Sequence, residues 1–171
     1  AGLELRRICG DADTVSDAGR ALVDAAEAFE VERHDPYKDY TDLALALDSV
    51  RRRWPDAEVV ATCATGGRPD MALSVLGLLA GYEDPPVWIA EDKVVARILR
   101  ASESWTIEGH EGSTFSIIAI APNTEVSEHG LEWELDHSPL GLLADTGISN
   151  VVRSTATIQV HTGTAIAYLY R

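Results

Sequence analysis

Three short segments carry the residue types needed to hold a phosphate together with a cation. The first, Gly10-Asp11-Ala12-Asp13-Thr14, follows a short apolar run and sets two carboxylates two residues apart. In an extended segment such residues point to one side, so both can reach one cation. Magnesium takes a few carboxylates together with phosphate oxygens and water, which an Asp-x-Asp loop at a strand end can supply. The plainer reading is a polar turn with Asp17 capping the next helix. The second segment runs from His34 to Asp42 and contains Asp35, Lys38, Asp39, Thr41 and Asp42. Asp39 or Thr41 suits the cap of the following helix. Lys38 offers a point charge to a phosphate where a helix start already favours anions, and Asp42 in the first turn can share a cation with Asp11 and Asp13. The third, Gly66-Gly67-Arg68-Pro69-Asp70, lies between an apolar strand and a helix. Glycine lets the backbone approach a ligand closely, the helix start presents free N–H groups, and Arg68 can grip a phosphate with two donors. Together the segments read as a magnesium–nucleotide phosphate site.

The elements that must position these loops alternate over the first hundred residues. Leu5 to Cys9 reads as a strand end, Asp17 to Phe29 as a helix, and Val31 to His34 as a short strand. Thr41 to Trp54 spaces Leu43, Leu47, Val50 and Trp54 at four, three and four, a helix that Pro55 stops. Ala57 to Ala64 reads as a buried strand, Pro69 to about Ala80 as a helix, and Val87 to Ala90 as another strand. After Arg100 the segments Ser104–Glu108, Thr114–Ala121, Glu132–Leu135, Ser154–Val160 and Thr164–Tyr170 are strand-like and separated by glycine-rich punctuation. His161-Thr162-Gly163 reads as a hairpin turn. The expected fold class is therefore an α/β Rossmann-like N-terminal domain with a mostly parallel sheet (1–100), followed by an all-β sandwich C-terminal domain (101–171). All three loops follow strands, where an open α/β sheet gathers its ligand contacts.

Composition narrows the function classes. The chain has 171 residues, 46% of them apolar, enough for one substantial core or two small ones. No apolar stretch is long enough to cross a bilayer, and no basic and apolar leader opens the sequence, so a cytoplasmic protein is expected. A formal net charge of −14 disfavours a nucleic-acid or anionic-membrane surface. A phosphate ligand stays compatible, because a divalent cation reverses the local field. Cys9 and Cys63 lack zinc-site spacing and are expected as small buried hydrophobes in a reducing compartment. His110, His129, His137 and His161 are expected in ordinary polar roles, and Trp88, Trp105 and Trp133 as core or interface aromatics.

Taken in order, the segments resemble the thiamine pyrophosphokinase family. That family has a Gly-Asp-x-Asp-Ser loop, a Lys-Asp-x-Thr-Asp run opening a helix, a Gly-Gly-Arg-x-Asp-His turn, a Gly-Leu-x-Trp-x-Leu segment and a Ser-Asn pair. Here these stand as Gly10 to Thr14, Lys38 to Asp42, Gly66 to Met71, Gly130-Leu131-Glu132-Trp133-Glu134-Leu135 and Ser149-Asn150. The resemblance implies pyrophosphoryl transfer from ATP to thiamine, giving thiamine diphosphate and AMP with Mg2+. It implies that Asp11, Asp13 and Asp42 hold the metal, and that Asp39 acts beside them. Thr14, Lys38, Thr41, Gly66, Gly67, Arg68 and Asp70 would line the nucleotide side. Trp133, Ser149 and Asn150 would serve thiamine, at the interface of a homodimer. Thr14 stands for the usual Ser and Met71 for the usual His, and one leading β/α unit of the family is expected to be missing. Two rivals stand beside this reading. One is a non-catalytic thiamine- or nucleotide-binding relative. The other is a haloacid-dehalogenase-like phosphatase using Asp11 as nucleophile and Asp13 as acid/base.

Overall fold

The computed structural model describes residues 4–11, 15–25, 27, 29–82 and 86–171. Its contacts divide the chain into two compact units, Ala1–Ala57 and Glu58–Arg171. In the first unit, strand β1 (Arg7–Gly10) leads through helix α1 (Asp17–Asp24) to β2 (Glu30–Arg33), and helix α2 (Asp42–Arg53) follows. β1 and β2 pair in parallel, Cys9 opposite Glu32 and Gly10 opposite Arg33. α2 begins at a Thr41 cap whose hydroxyl accepts from the Ala44 N–H at 3.2 Å. Its inward side buries Leu47 and Ser49, while Arg51, Arg52 and Arg53 fill the last turn, where the helix dipole favours cations.

The second unit opens with β3 (Val59–Thr62), helix α3 (Pro69–Ala80) and β4 (Val87–Glu91). Seven further strands follow: β5 (Val94–Arg100), β6 (Ser104–Ile107), β7 (Thr114–Ala119), β8 (Thr124–Leu131), β9 (Leu135–Leu140), β10 (Asn150–Thr162) and β11 (Thr164–Tyr170). They form one nine-stranded sheet in the order β3-β4-β5-β11-β7-β10-β8-β9, with β6 paired to β10.

This topology corrects the expected Rossmann-like parallel sheet. Of the strand pairs among the described residues only β1–β2 and β3–β4 are parallel, and they belong to different sheets. Each is the product of one β-α-β crossover. The free edge of β4 is taken not by a further crossover strand but by β5, which returns at once through Asp92-Lys93 and pairs antiparallel, Glu91 opposite Val94. From there the sheet grows antiparallel, β11 pairing with both β5 and β7. Alternating strand and helix patterns specify the elements and leave the edge partner open, which is where the expectation failed.

Three strands also escaped the sequence pattern, β5 (Val94–Arg100) among them. β8 carries Glu128 inside its buried run, and a charge at a core position hides the alternation. β9 contains Pro139, which an edge strand tolerates because no ladder donor is needed on the outer side. The His161-Thr162-Gly163 segment is not a hairpin, since β10 and β11 are not hydrogen-bonded neighbours. It is a corner: from Val152 onward β10 pairs with β6 and β8, while β11 pairs with β5 and β7. Inward side chains from both groups meet in a single core that includes Phe115, Ile117, Val126, Val152, Ile158, Val160 and Leu169.

β10 has a register shift between Val152 and Thr157, where Arg153, Ser154 and Thr155 are all exposed. The bulge pushes the Thr155 carbonyl toward Gly130, where an added Cβ would sit 2.3 Å from it, at a φ of +78°. The glycine that opens Gly130-Leu131-Glu132-Trp133 is thus required by both space and backbone. Gly130→Ala is expected to lower stability by about 1–3 kcal/mol. Urea unfolding measures it, and an unchanged midpoint contradicts the assignment.

Candidate functional site

In the first unit the ends of β1 and β2 and the start of α2 converge. β1 delivers Asp11 at its C-terminal end, and the Asp35–Lys38 turn, closed by Lys38 N–H to the Asp35 carbonyl at 3.2 Å, delivers Lys38. The Lys38 ammonium donates to Asp11 and lies 2.9 Å from Asp42 Oδ1. Asp42 Oδ1 is buried, and this contact is an ion pair by distance, with no well-directed hydrogen bond to that oxygen among the described residues. Its hydrogen bond to Asp11, then its contact with Asp42, pushes the Lys38 pKa up, so the ammonium is firmly charged. Gly10 packs directly beneath: a Cβ there would lie 2.6 Å from Asp42 Oδ2. A side chain at that position would displace the carboxylate, so the glycine preceding Asp11 keeps Asp42 within reach of it.

Two carboxylates and one ammonium from separate segments therefore share one small volume. Oxygen donors of this kind fit a hard divalent cation such as magnesium, and the poorly satisfied Asp42 oxygen is an acceptor ready for one. Thr41 is committed to capping α2, and Asp39 is exposed beside it. Asp13 and Thr14 lie outside the described residues. A cavity of about 570 Å3 lined by Leu5, Cys9, Ala46, Val50 and Trp54, among others, touches neither Asp11 nor Asp42 and is separate from this acidic centre.

In the second unit, Gly66, Gly67, Arg68 and Asp70 stand at the start of α3. Pro69 occupies the first turn, Arg68 at the N-cap makes no side-chain capping bond, and the Asp70 carboxylate faces the N–H groups of Asp70 and Met71. Arg68 folds onto Asp70, Nε to Oδ1 at 3.1 Å, which lowers the Asp70 pKa. Both side chains are exposed. The loop leading to the glycines is held by a residue that sequence reasoning missed. Glu91, at the end of β4, accepts from the N–H groups of Cys63, Ala64 and Thr65 at 3.1, 2.6 and 3.1 Å. Burial alone would raise its pKa, but these backbone donors prevail and lower it. The only sequence signal was an acid ending an apolar strand. Cys63, expected buried, is exposed on this loop with a φ of 54°.

The second unit also brings Trp133, Ser149 and Asn150 together. Asn150 is buried, accepts from the Trp133 N–H at 3.1 Å and donates to the Trp133 carbonyl at 2.7 Å. Trp133 is left 62% exposed. Ser149 takes a φ of 62° and its N–H donates to Ser116 Oγ at 3.0 Å. Behind Asn150 lies Glu128, 1% exposed, its Oε2 3.4 Å from Asn150 Nδ2 and its Oε1 without a hydrogen-bond partner among the described residues. Burial raises its pKa to about 7 against the single lowering contact from Asn150. His137 and His161 have polar partners, Glu125 and Ser127, each at 2.7 Å, and also stack with ring centroids 3.8 Å apart. Trp88 and Trp105 meet edge to face at 5.4 Å.

The raised Glu128 pKa has a consequence for stability. The folded state holds this proton up to about pH 7, whereas the unfolded chain releases it near the ordinary 4.5. Stability is therefore lost as pH rises through that window, by about 3 kcal/mol in all. Glu128→Gln is expected to flatten the dependence and to exceed the parent in stability at pH 8, as read from urea midpoints at pH 5 and 8. A variant less stable than the parent at pH 8 contradicts this.

Comparison with known proteins gives the site a context. Residues 1–89 match the family model for the thiamin pyrophosphokinase catalytic domain, and residues 104–166 that for the thiamin pyrophosphokinase vitamin B1 binding domain. Among solved structures, the chain is similar to a thiamine pyrophosphokinase from Bacillus subtilis, with 24% identity and a TM-score of 0.79, over 99% of this chain and 80% of that one. It is similar to a thiamin pyrophosphokinase from Geobacillus thermodenitrificans, with 22% identity and a TM-score of 0.78, over 98% and 77% of the two chains. A thiamin pyrophosphokinase from Candida albicans shares 11% identity at a TM-score of 0.79, over 96% and 73%. No curated protein matches the chain. At these identities the structural likeness is one of fold.

Proposed function

The chain belongs to the thiamin pyrophosphokinase family, and we propose that it uses the Asp11–Lys38–Asp42 centre to transfer a pyrophosphoryl group from ATP to thiamine. The products are thiamine diphosphate and AMP. One observation carries the assignment of the centre: a carboxylate after β1 and one at the start of α2 meet at one ammonium, beside a glycine where any Cβ would strike Asp42. Such a group serves a reaction in which positioning and charge neutralisation matter more than covalent catalysis.

Asp11 and Asp42, joined by Asp13, hold Mg2+. When bound, the ion neutralises charge on the nucleotide phosphates. Lys38 adds a positive charge on the same side, and Thr14, Thr41, Gly66, Gly67, Arg68 and Asp70 line the nucleotide. Asp39, exposed next to the Thr41 cap, takes the proton from the thiamine hydroxyl as that oxygen bonds to the β-phosphorus and the bond to the α-phosphate oxygen breaks. Trp133, Ser149 and Asn150 form the thiamine side. Trp133 presents an aromatic face, and Asn150 fixes its backbone at both N–H and carbonyl.

The division of labour falls near Arg100, with nucleotide chemistry in residues 1–100 and thiamine binding in 101–171. The two family matches, ending at 89 and beginning at 104, support it. Leu142, Leu143 and Ile148, all exposed close to Ser149-Asn150 in sequence, support a homodimer that covers them. Among the described residues no helix is long and apolar enough to cross a membrane. Action in the cytoplasm, without nucleic acid or membrane as partner, fits the acidic composition.

The test is formation of thiamine diphosphate and AMP from thiamine and ATP, with and without magnesium. Activity is expected only with the metal, and absence of product under both conditions defeats the reading. Asp42→Asn is expected to lower turnover by about 100-fold or more with an unchanged circular dichroism spectrum. Asn150→Ala is expected to raise the KM for thiamine by about tenfold while leaving that for ATP unmoved. An equal rise for both substrates removes Asn150 from the thiamine side.

A further inference from the structure

The parallel register of β1 and β2 creates a second cluster of ligating atoms. Cys9 stands opposite Glu32, and His34 lies two residues beyond Glu32, on the same face of an extended chain. The backbone of His34 is held in register by its N–H, which donates to the Gly10 carbonyl at 3.1 Å. His34 Nε2 lies 3.6 Å from Cys9 Sγ and 3.3 Å from Glu32 Oε1, and the three ligand atoms are within 4.8 Å of one another. Tetrahedral zinc, with its usual bond lengths, has a sulfur–nitrogen edge of about 3.6 Å and a nitrogen–oxygen edge of about 3.4 Å.

A thiol–imidazole–carboxylate relay is a poorer account of this geometry. A relay uses the two ring nitrogens in turn, one toward the thiol and one toward the carboxylate. Here both contacts converge on Nε2, and one nitrogen cannot serve as donor and acceptor at once. Convergence on a single point is what a metal requires.

We propose that Cys9 Sγ, Glu32 Oε1 and His34 Nε2 form a three-ligand site for a divalent transition metal of the zinc class, with a fourth position left to solvent. Thiolate and imidazole distinguish it from the oxygen-only Asp11–Asp42 centre and disfavour magnesium. Glu32 is prepared for the role by its surroundings. Its other oxygen, Oε2, accepts from Arg7 and from Ser49 Oγ at 3.1 Å, which fixes the carboxylate and turns Oε1 toward the histidine. Arg52 also reaches Oε1, at 3.4 Å, but this exposed side chain has Asp48 as an alternative partner at 2.9 Å. Glu32 and His34 keep 20% and 25% of their side chains exposed, and Cys9 lines the cavity of about 570 Å3, so an ion has a way in. Loading forms the metal–sulfur bond and releases the Cys9 thiol proton to solvent.

The experiment is titration of the reduced, metal-free chain with Co2+, followed by displacement with Zn2+. One equivalent is expected to give a thiolate-to-cobalt charge-transfer band with tetrahedral ligand-field absorption, and one equivalent of Zn2+ to remove both. Cys9→Ser is expected to abolish the band, and His34→Gln to weaken zinc binding by about tenfold or more. Cys63→Ser and Asp11→Asn are expected to retain both signals. No charge-transfer band from the parent chain overturns the proposal, whatever the variants do. So does a band lost in Cys63→Ser, or zinc affinity that falls in Asp11→Asn and not in His34→Gln.

Discussion

A strand of thirteen residues has many backbone donors and acceptors to satisfy, and β10 divides them between different partners. Asn150 and Val151 pair with β7, Ala156 to Gln159 with β6 on one side, and the stretch from Val152 to Thr162 with β8 on the other. Its fully buried residues, Val152, Ala156, Ile158 and Val160, form the middle of the core. The bulge between Val152 and Thr157 is what lets one strand serve both groups of strands, since an unbroken ladder would keep it in one. The consequences spread from there. The bulged Thr155 carbonyl needs a glycine at 130, that glycine turns the chain toward Trp133, and the first residue of β10, Asn150, holds Trp133 by both backbone groups.

The first unit obeys a different constraint. A parallel pair needs a crossover, and the loop that ends each strand falls at the same edge. Asp11 after β1 and Lys38 after β2 are thereby placed side by side, and α2 begins close enough to add Asp42. Two carboxylates at this range repel unless a cation intervenes. Lys38 supplies that charge within the protein, and the same arrangement suits a nucleotide carrying a hard divalent ion. The chemistry of the centre thus follows from the places where strands stop.

Buried polar groups in the second unit are used more sparingly. Glu91 spends its carboxylate on three consecutive backbone N–H groups and so rigidifies the approach to Gly66-Gly67-Arg68. Among the described residues Glu128 has only Asn150, and its buried second oxygen has no partner. Such a group costs stability when ionised. It lies behind Asn150, the residue that positions Trp133, where a purely structural core would favour an apolar side chain.

Much of this was legible from the chain alone. Local chemistry specified the three loops: a Thr cap, a proline in the first turn of α3, and glycines beside carboxylates are readable because each acts within a few residues. The ordered motifs carried the family. What the sequence could not decide was pairing. Nothing in Val87–Glu91 states that its free edge will take β5 rather than another crossover strand, and so the mostly parallel sheet was expected and does not form. Pairing likewise decides that Cys9 faces Glu32 across β1–β2, and that Glu128 lies behind Asn150. Helix periods and caps are encoded by neighbours three or four residues apart, whereas hydrogen-bonded strand edges compare partners from the whole chain. The sequence by itself determined which residues could do chemistry, and the tertiary structure decided which of them meet.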